Sequence, residues 1–155
     1  MSAGRGGSKD SGVVLYTDGA SRGNPGPAGI GVVALSGDQE VFTISQYIGV
    51  ATNNMAEYLA VIAGLEKAGK LGVGEVTVMM DSELVVQQLN GGYKVRDAKL
   101  KVLYSRARRA IEALGRCYFV HLPREQNTAA DRLANRALDK VLKKKGGEPE
   151  PLTEY

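Results

Sequence analysis

The sequence predicts a mixed α/β domain: a five-stranded sheet, three antiparallel strands and then parallel ones, flanked by helices. Three observations predict it. Strand-like runs follow one another through short turns between Val13 and Ile48, which reads as an antiparallel meander. From Asn54 onward, helical periodicity alternates with short β-branched runs, the pattern of parallel strands joined by crossovers. Two of the apolar runs, Val13–Thr17 and Val76–Met80, are each followed by an aspartate, Asp18 and Asp81. Right-handed crossovers place the fourth strand parallel to the first.

Residues 1–12 are rich in Gly and Ser and read as a disordered tail. Val13–Thr17 is the first strand, because β-branched and aromatic residues suit a covered, pleated surface. Asp18 ends it. Gly19–Pro27 reads as a loop, dense in Gly, Asn and Pro. Strands over about 28–35 and 40–48 are joined by the turn Ser36-Gly37-Asp38-Gln39. Thr52-Asn53-Asn54 is a polar cap cluster opening a helix over about 54–68, with Met55, Leu59, Ile62 and Ala63 at helical spacing. Glu57 is expected in the first turn, where it would complement the helix dipole.

Val76–Met80 is the fourth strand, and a helix over 82–89 follows Asp81 at once, stopping at Asn90-Gly91-Gly92. Tyr93-Lys94-Val95-Arg96 is a short basic connector. The next helix covers about 98–113, with Leu100, Leu103, Ala107, Ala110, Ile111 and Leu114 as its apolar stripe. A strand over 116–122 and a loop at Pro123–Gln126 lead to the last helix, capped by Asn127 or Thr128 and reaching about Lys143. Asp131 falls in its first turn, and Leu133, Ala134, Ala137, Leu138, Val141 and Leu142 are its expected buried face. Residues 144–155 form a charged, flexible tail, so the domain occupies 13–143.

A chain of 155 residues, 43% hydrophobic, suits one domain with a real core. No apolar run approaches the roughly 20 residues of a membrane span, and the N-terminus lacks the apolar stretch of a secretory signal. A single cysteine, Cys117, excludes an intramolecular disulfide and a cysteine-rich zinc site, and points to a reducing, cytoplasmic setting. With one His and one Cys, a metal would be held mainly by oxygen, which favours Mg²⁺ or Mn²⁺. Net charge is +3, but eight basic residues lie between Lys94 and Arg116 against Asp97 and Glu112. A solvated helix face is the ordinary explanation of such a run; beside a carboxylate cluster it suits a polyphosphate. A monomer is the default expectation.

Asp18, Glu57, Asp81 and Asp131 carry the chemistry. Singly, each has a bland reading: a turn, a helix cap or a dipole acid. Together they fall at element ends on one predicted edge. Adjacent strands would bring the first and third of these acids to about 5 Å. Carboxylates so placed repel and raise one another's pKa. Divalent cations relieve the repulsion, and two of them can clamp the attacking water and the leaving oxygen of a phosphodiester.

The blocks Tyr16-Thr17-Asp18-Gly19-Ala20-Ser21 with Gly23-Asn24-Pro25-Gly26, Thr52-Asn53-Asn54-Met55-Ala56-Glu57, Met80-Asp81-Ser82, and Arg124-Glu125-Gln126-Asn127 with Ala130-Asp131-Arg132-Leu133-Ala134 resemble those of type 1 ribonucleases H, in family order across about 13–142. The resemblance implies a ribonuclease H-like fold and endonucleolytic hydrolysis of the RNA strand of RNA–DNA hybrids, leaving 5′-phosphate and 3′-hydroxyl ends. It implies two Mg²⁺ ions, with Mn²⁺ as substitute, held by Asp18, Glu57, Asp81 and Asp131. Asn24, Asn53, Asn54 and Gln87 match positions that contact the hybrid's minor groove, and Thr52 one that holds a DNA-strand phosphate. Gly19 and Ser21 are small enough to let the hybrid approach.

Two departures point to the protrusion-less, archaeal-like branch, for which double-stranded RNA is an additional expected substrate. Only Gly91–Asp97 joins the helices where other members insert a basic protrusion, so Lys94, Arg96 and Lys99 become the expected contacts to the DNA strand. The segment before Asp131 is short, and Arg124 is favoured in the assisting role that other members give to a mobile His. Its job would be electrostatic, since a guanidinium accepts no proton at neutral pH. His121, the only His, is the alternative and otherwise a strand-end side chain.

Overall fold

In a computed structural model, residues 12–144 are described. The tails expected at 1–12 and 144–155 lie, apart from Gly12 and Lys144, outside the described residues. Three long strands come first: β1 (Val13–Ser21), β2 (Gly26–Ser36) and β3 (Gln39–Ala51). Gly37, at φ +62°, makes the β2–β3 turn, and Ser36 pairs with Gln39 across it. Then follow α1 (Asn53–Lys70), β4 (Glu75–Met80), α2 (Glu83–Leu89), α3 (Ala98–Leu114), β5 (Arg116–His121), a 3₁₀ turn (Arg124–Gln126) and α4 (Thr128–Lys144). The sheet order is β3-β2-β1-β4-β5. β1 pairs antiparallel with β2 and parallel with β4, and β4 pairs parallel with β5. The mixed five-stranded sheet is therefore as expected.

Alternation along β2 divides the layers. Ile30 and Val32 point to the face that carries α1, where Gly64 lies close against Leu15 and Val32. Gly29 and Gly31 point to the other face, and the carbonyls of Ala134 and Ala130 fill the space their side chains would take. α4 therefore sits almost on the backbone of β2. Its buried face is Ala130, Ala134, Ala137 and Leu138; Leu133, Val141 and Leu142, expected with them, are only half-buried. The main core lies under α1, with Val85, Val86 and Leu89 of α2 and Leu100, Leu103, Ala107 and Leu114 of α3 joining it. Among the described residues, no helix is long and apolar enough to cross a membrane.

Two expectations need correction. Asp18 does not end its strand: β1 continues to Ser21, with Asp18 opposite Gly31 and Ser21 opposite Ala28. What ends near Asp18 is the ladder to β4, whose last pair is Tyr16–Met79. The antiparallel partner outruns the parallel one, so small residues that looked like a turn are strand. Glu57 is not in the first turn of its helix. α1 starts at Asn53, which leaves that turn without an acid and puts Glu57 in the second turn, buried. Dipole complementarity, which fades beyond the first turn, does not account for it.

A side chain at Gly31 would place its Cβ 2.1 Å from the Ala130 oxygen and 2.7 Å from the Ala134 nitrogen. Gly31→Ala is expected to cost about 3 kcal/mol by overpacking, read from urea unfolding. Gly37→Ala meets nothing within 4 Å and should cost only about 1 kcal/mol, for its left-handed backbone. Equal losses in the two variants would contradict the tight seat of α4.

Candidate active site

Two residues beyond the last β1–β4 pair, the register brings Asp18 level with Asp81, just past the end of β4. Glu57 arrives from above. A Cβ on Gly19 would lie 2.3 Å from the Ala56 carbonyl carbon and 2.5 Å from the Glu57 nitrogen, so only glycine lets α1 lie this close to β1. Carboxylate oxygens of Asp18, Glu57 and Asp81 all fall within 4.8 Å of one another. Asp131, in the first turn of α4, stands outside this trio but lies near enough to Asp18 to raise its carboxyl. All four acids expected at one edge are therefore together.

Their burial is unequal. Asp18 and Glu57 are 3% and 8% exposed, while Asp81 and Asp131 are half-buried. Burial pushes the Asp18 carboxyl up to about 8, helped by the charge of Asp81 and by the hydrogen bond and charge of Asp131, and opposed by a hydrogen bond from Glu57. Glu57 is raised well above the carboxylate range by burial, then by the charges of Asp18 and Asp81; a hydrogen bond from the Gly19 N–H pulls the other way. Among the described residues, Glu57 Oε1 is buried with no hydrogen-bond partner. An orphaned acceptor among crowded carboxylates is the environment a hard divalent cation satisfies, and the donors here are all oxygen. Cys117 offers no rival chemistry, because burial lifts its thiol to about 11.

Two asparagines hold the acids and were missed as site residues in the sequence. Asn127, 1% exposed, donates from Nδ2 to the Thr17 carbonyl at 2.9 Å and to Asp81 Oδ2 at 3.4 Å. It was expected only as a helix cap. Its side chain instead ties the start of α4 to β1 and Asp81. Asn135 donates from Nδ2 to Asp131 Oδ1 at 3.2 Å, and its own Oδ1 accepts from Arg22 at 3.1 Å. Arg22 also pairs with Asp139 at 2.7 Å. A signal was present: Asn127, Asp131 and Asn135 are spaced i, i+4, i+8, which puts them on one side of the helix.

The other expected residues separate into two groups. Ser21, Asn24, Thr52 and Asn53 knit the β1–β2 loop to the start of α1. The Ser21 N–H donates to Asn53 Oδ1 at 3.1 Å, and the Asn53 N–H to Asn24 Oδ1 at 3.0 Å. The Ser21 hydroxyl is engaged with the carbonyls of Gly23 and Ala51. Thr52 caps α1, accepting from the Met55 N–H at 3.2 Å. With each amide oxygen already accepting one backbone N–H, the exposed Asn24 and Asn53 offer chiefly their NH₂ groups. Asn54 follows, half-buried.

Gln87 lies in the last turn of α2, and Lys94 and Arg96 in the exposed connector after it. Gln87 packs over Gly92. Lys99 is exposed in the first turn of α3. Arg124 is exposed in the 3₁₀ turn, its carbonyl accepting from the Asn127 N–H at 2.9 Å. His121, exposed at the end of β5, pairs with Met80, one residue before Asp81.

Residues 16–137 match the model of the reverse transcriptase-like family. A Mycobacterium tuberculosis protein described as bifunctional is 45% identical over 141 residues, 90% of this chain; the chain spans 39% of that relative's length. The ribonuclease HI of Halobacterium salinarum is 45% identical over 128 residues, 82% of this chain and 64% of its own. Its crystal structure superposes with a TM-score of 0.81, covering 83% of this chain and 98% of that one. A ribonuclease H1 solved in complex with an RNA/DNA hybrid, LC11, is 45% identical with a TM-score of 0.81, covering 84% of this chain and 99% of that one.

The raised Asp18 and Glu57 carboxyls set a pH dependence for the metal-free protein. A group whose folded pKa lies above its unfolded value stabilises fully below the unfolded value and loses that contribution as pH rises through the folded one. For Asp18 the window runs from 3.8 to about 8. In EDTA the melting temperature should therefore fall between pH 5 and 8, a slope that Asp18→Asn should reduce. Mn²⁺ should stabilise more at pH 8 than at pH 5, because it competes with fewer protons. A flat profile in EDTA would contradict this electrostatic picture.

Proposed function

The chain belongs to the reverse transcriptase-like family, among the type 1 ribonucleases H, and from that premise we propose that it hydrolyses the RNA strand of RNA–DNA hybrids as a metal-dependent endonuclease, leaving 5′-phosphate and 3′-hydroxyl ends. One observation carries the reading: buried carboxylates of Asp18 and Glu57 crowded against Asp81, with Glu57 Oε1 left without a partner. Such a cluster is costly to a fold unless cations fill it. Asp18, Glu57, Asp81 and Asp131 would hold two Mg²⁺ ions, or Mn²⁺ in their place. When bound, the cations supply the positive charge that an in-line displacement at phosphorus needs.

The protein's own groups do the rest. Asn127 keeps Asp81 turned toward Asp18, and Asn135 does the same for Asp131. The NH₂ groups of Asn24 and Asn53, with Asn54 and Gln87, offer donors to 2′-hydroxyls and base edges in the minor groove. Ser21 presents little bulk there, while Gly19 serves the site through the seat it gives α1. Thr52, at the N-terminus of α1, suits a phosphate of the DNA strand, since helix N-termini attract anions. Lys94 and Arg96 add positive charge along that strand, with Lys99 beside them. Arg124, two turns of chain from Asp131, steadies the scissile phosphate or eases product release. Double-stranded RNA is a second substrate of this reading. The protein acts as a monomer in the cytoplasm, where a lone thiol stays reduced.

A labelled RNA–DNA hybrid should be cut in Mg²⁺ and left intact in EDTA or by Asp81→Asn. An intact hybrid in Mg²⁺ would end the nuclease reading, and cutting by Asp81→Asn would end the site assignment. Asn127→Ala is expected to lose about 10- to 100-fold in activity, as substitutions behind metal ligands do. Raised Mn²⁺ should recover part of that loss. Full activity at low Mg²⁺ would remove Asn127 from its orienting role.

A further inference from the structure

The connector between α2 and α3 is short, basic and firmly held. Gly92 and Tyr93 donate their N–H groups to the Gln87 carbonyl at 2.8 and 3.2 Å. Beneath them runs a buried relay: the Tyr58 hydroxyl donates to Gln88 Oε1 at 2.7 Å, and Gln88 Nε2 donates to the Lys94 carbonyl at 3.5 Å. From the α3 side, Arg108 donates to the Leu89 carbonyl at 3.2 Å. A segment whose first half is hydrogen-bonded to α2 and to the buried relay presents a fixed surface.

That surface is a cleft. It has a volume of about 460 Å³ and lies between the connector and α3, floored by Gln88 and lined by Tyr93, Lys94, Lys101, Tyr104 and Ser105. Among the described residues, no acidic side chain lines it. Tyr93 is 49% exposed, and the Tyr104 ring has the Arg108 guanidinium 5.9 Å from its centre. A solvated lysine face would account for the charge alone. It does not account for two tyrosines set into a concave, pre-formed site. Aromatic faces combined with lysines are what unstacked nucleotides bind: the ring takes the base and the ammonium the phosphate. A paired strand keeps its bases stacked and cannot enter such a recess. α2 has seven residues, so at about 1.5 Å per residue the cleft begins roughly 10 Å beyond Asp81, within a few nucleotides of the carboxylates.

We propose that the Tyr93–Tyr104 cleft binds an unpaired nucleotide of a strand that runs off the end of the hybrid. The proposal rests on the hybrid-nuclease reading for the position of the duplex. It makes single-stranded extensions, not the duplex alone, part of what the protein recognises. The Gln88 amide is already engaged by Tyr58 and the Lys94 carbonyl, so preference among bases is weak and stacking dominates.

The test measures binding by fluorescence anisotropy in the Asp81→Asn background with Mg²⁺, so that nothing is cut. A short blunt hybrid is compared with the same hybrid carrying an unpaired DNA or an unpaired RNA extension. The extension should raise affinity about tenfold, the scale of one base–aromatic stack. Tyr93→Ala should bring extended and blunt affinities together, and Lys101→Glu should lower the extended affinity more than the blunt one. Both side chains are exposed, so the variants should fold; circular dichroism checks this. Equal affinities for blunt and extended hybrids, or an advantage that survives both substitutions, overturns the proposal. Whether the DNA or the RNA extension gains more identifies the strand. Cleavage of the blunt hybrid by the unmodified protein tests the nuclease reading separately.

Discussion

The arrangement depends on how closely two helices sit on one strand. Asp18 lies in the middle of β1, with Gly19 next to it in sequence and Gly31 across from it in the ladder. The space of the first glycine is filled by α1 at Ala56–Glu57, and that of the second by α4 at the Ala130 carbonyl, one residue before Asp131. Each helix therefore reaches Asp18 at a place where the sheet has no side chain to hold it off. Glu57 and Asp131 come to Asp18 from opposite layers because of these two absences. Asp81 needs no such device, since it follows directly from the register of β1 and β4.

The same closeness makes the acids a strain on the fold. Asp18 and Glu57 are removed from water beside other carboxylates, and their proton affinities rise in response. Leu15, Val78 and Met80, all fully buried, surround the strands that carry them. A core of this kind can bear a locally unfavourable cluster, as functional sites commonly require. Asn127 and Asn135 confine that cluster by bonding acids that would otherwise turn apart.

Much of this was legible in the sequence because it rests on local chemistry. Alternating apolar runs, the Gly37-Asp38 turn and the Thr52 cap follow from side-chain periodicity and backbone preference, and they fix the element order. The four acids were legible as a set, since three sit where an element begins or a ladder ends and Glu57 lies one turn inside its helix. What was not legible depends on contacts distant in sequence. Nothing near Gly19 says that a helix 37 residues on will pass over it, so Gly19-Ala20-Ser21 looked like a turn. Asn127 has the composition of a helix cap, and only the fold brings Thr17 and Asp81 to its amide. Glu57 was misplaced by one turn because the helix starts at the first of two adjacent asparagines.

The pinned amides of Asn24 and Asn53 have a consequence for what the protein can distinguish. Each oxygen already accepts one backbone N–H, so toward a nucleic acid these side chains offer chiefly their NH₂ groups. In the minor groove both orientations of an A·T pair present acceptors alone, and only the amino group of guanine departs from this pattern. A reader that chiefly donates is nearly blind to spelling. On the proposed function, cleavage would then be distributed by where a ribose backbone lies beside a DNA strand, with guanines as the one letter the surface can notice.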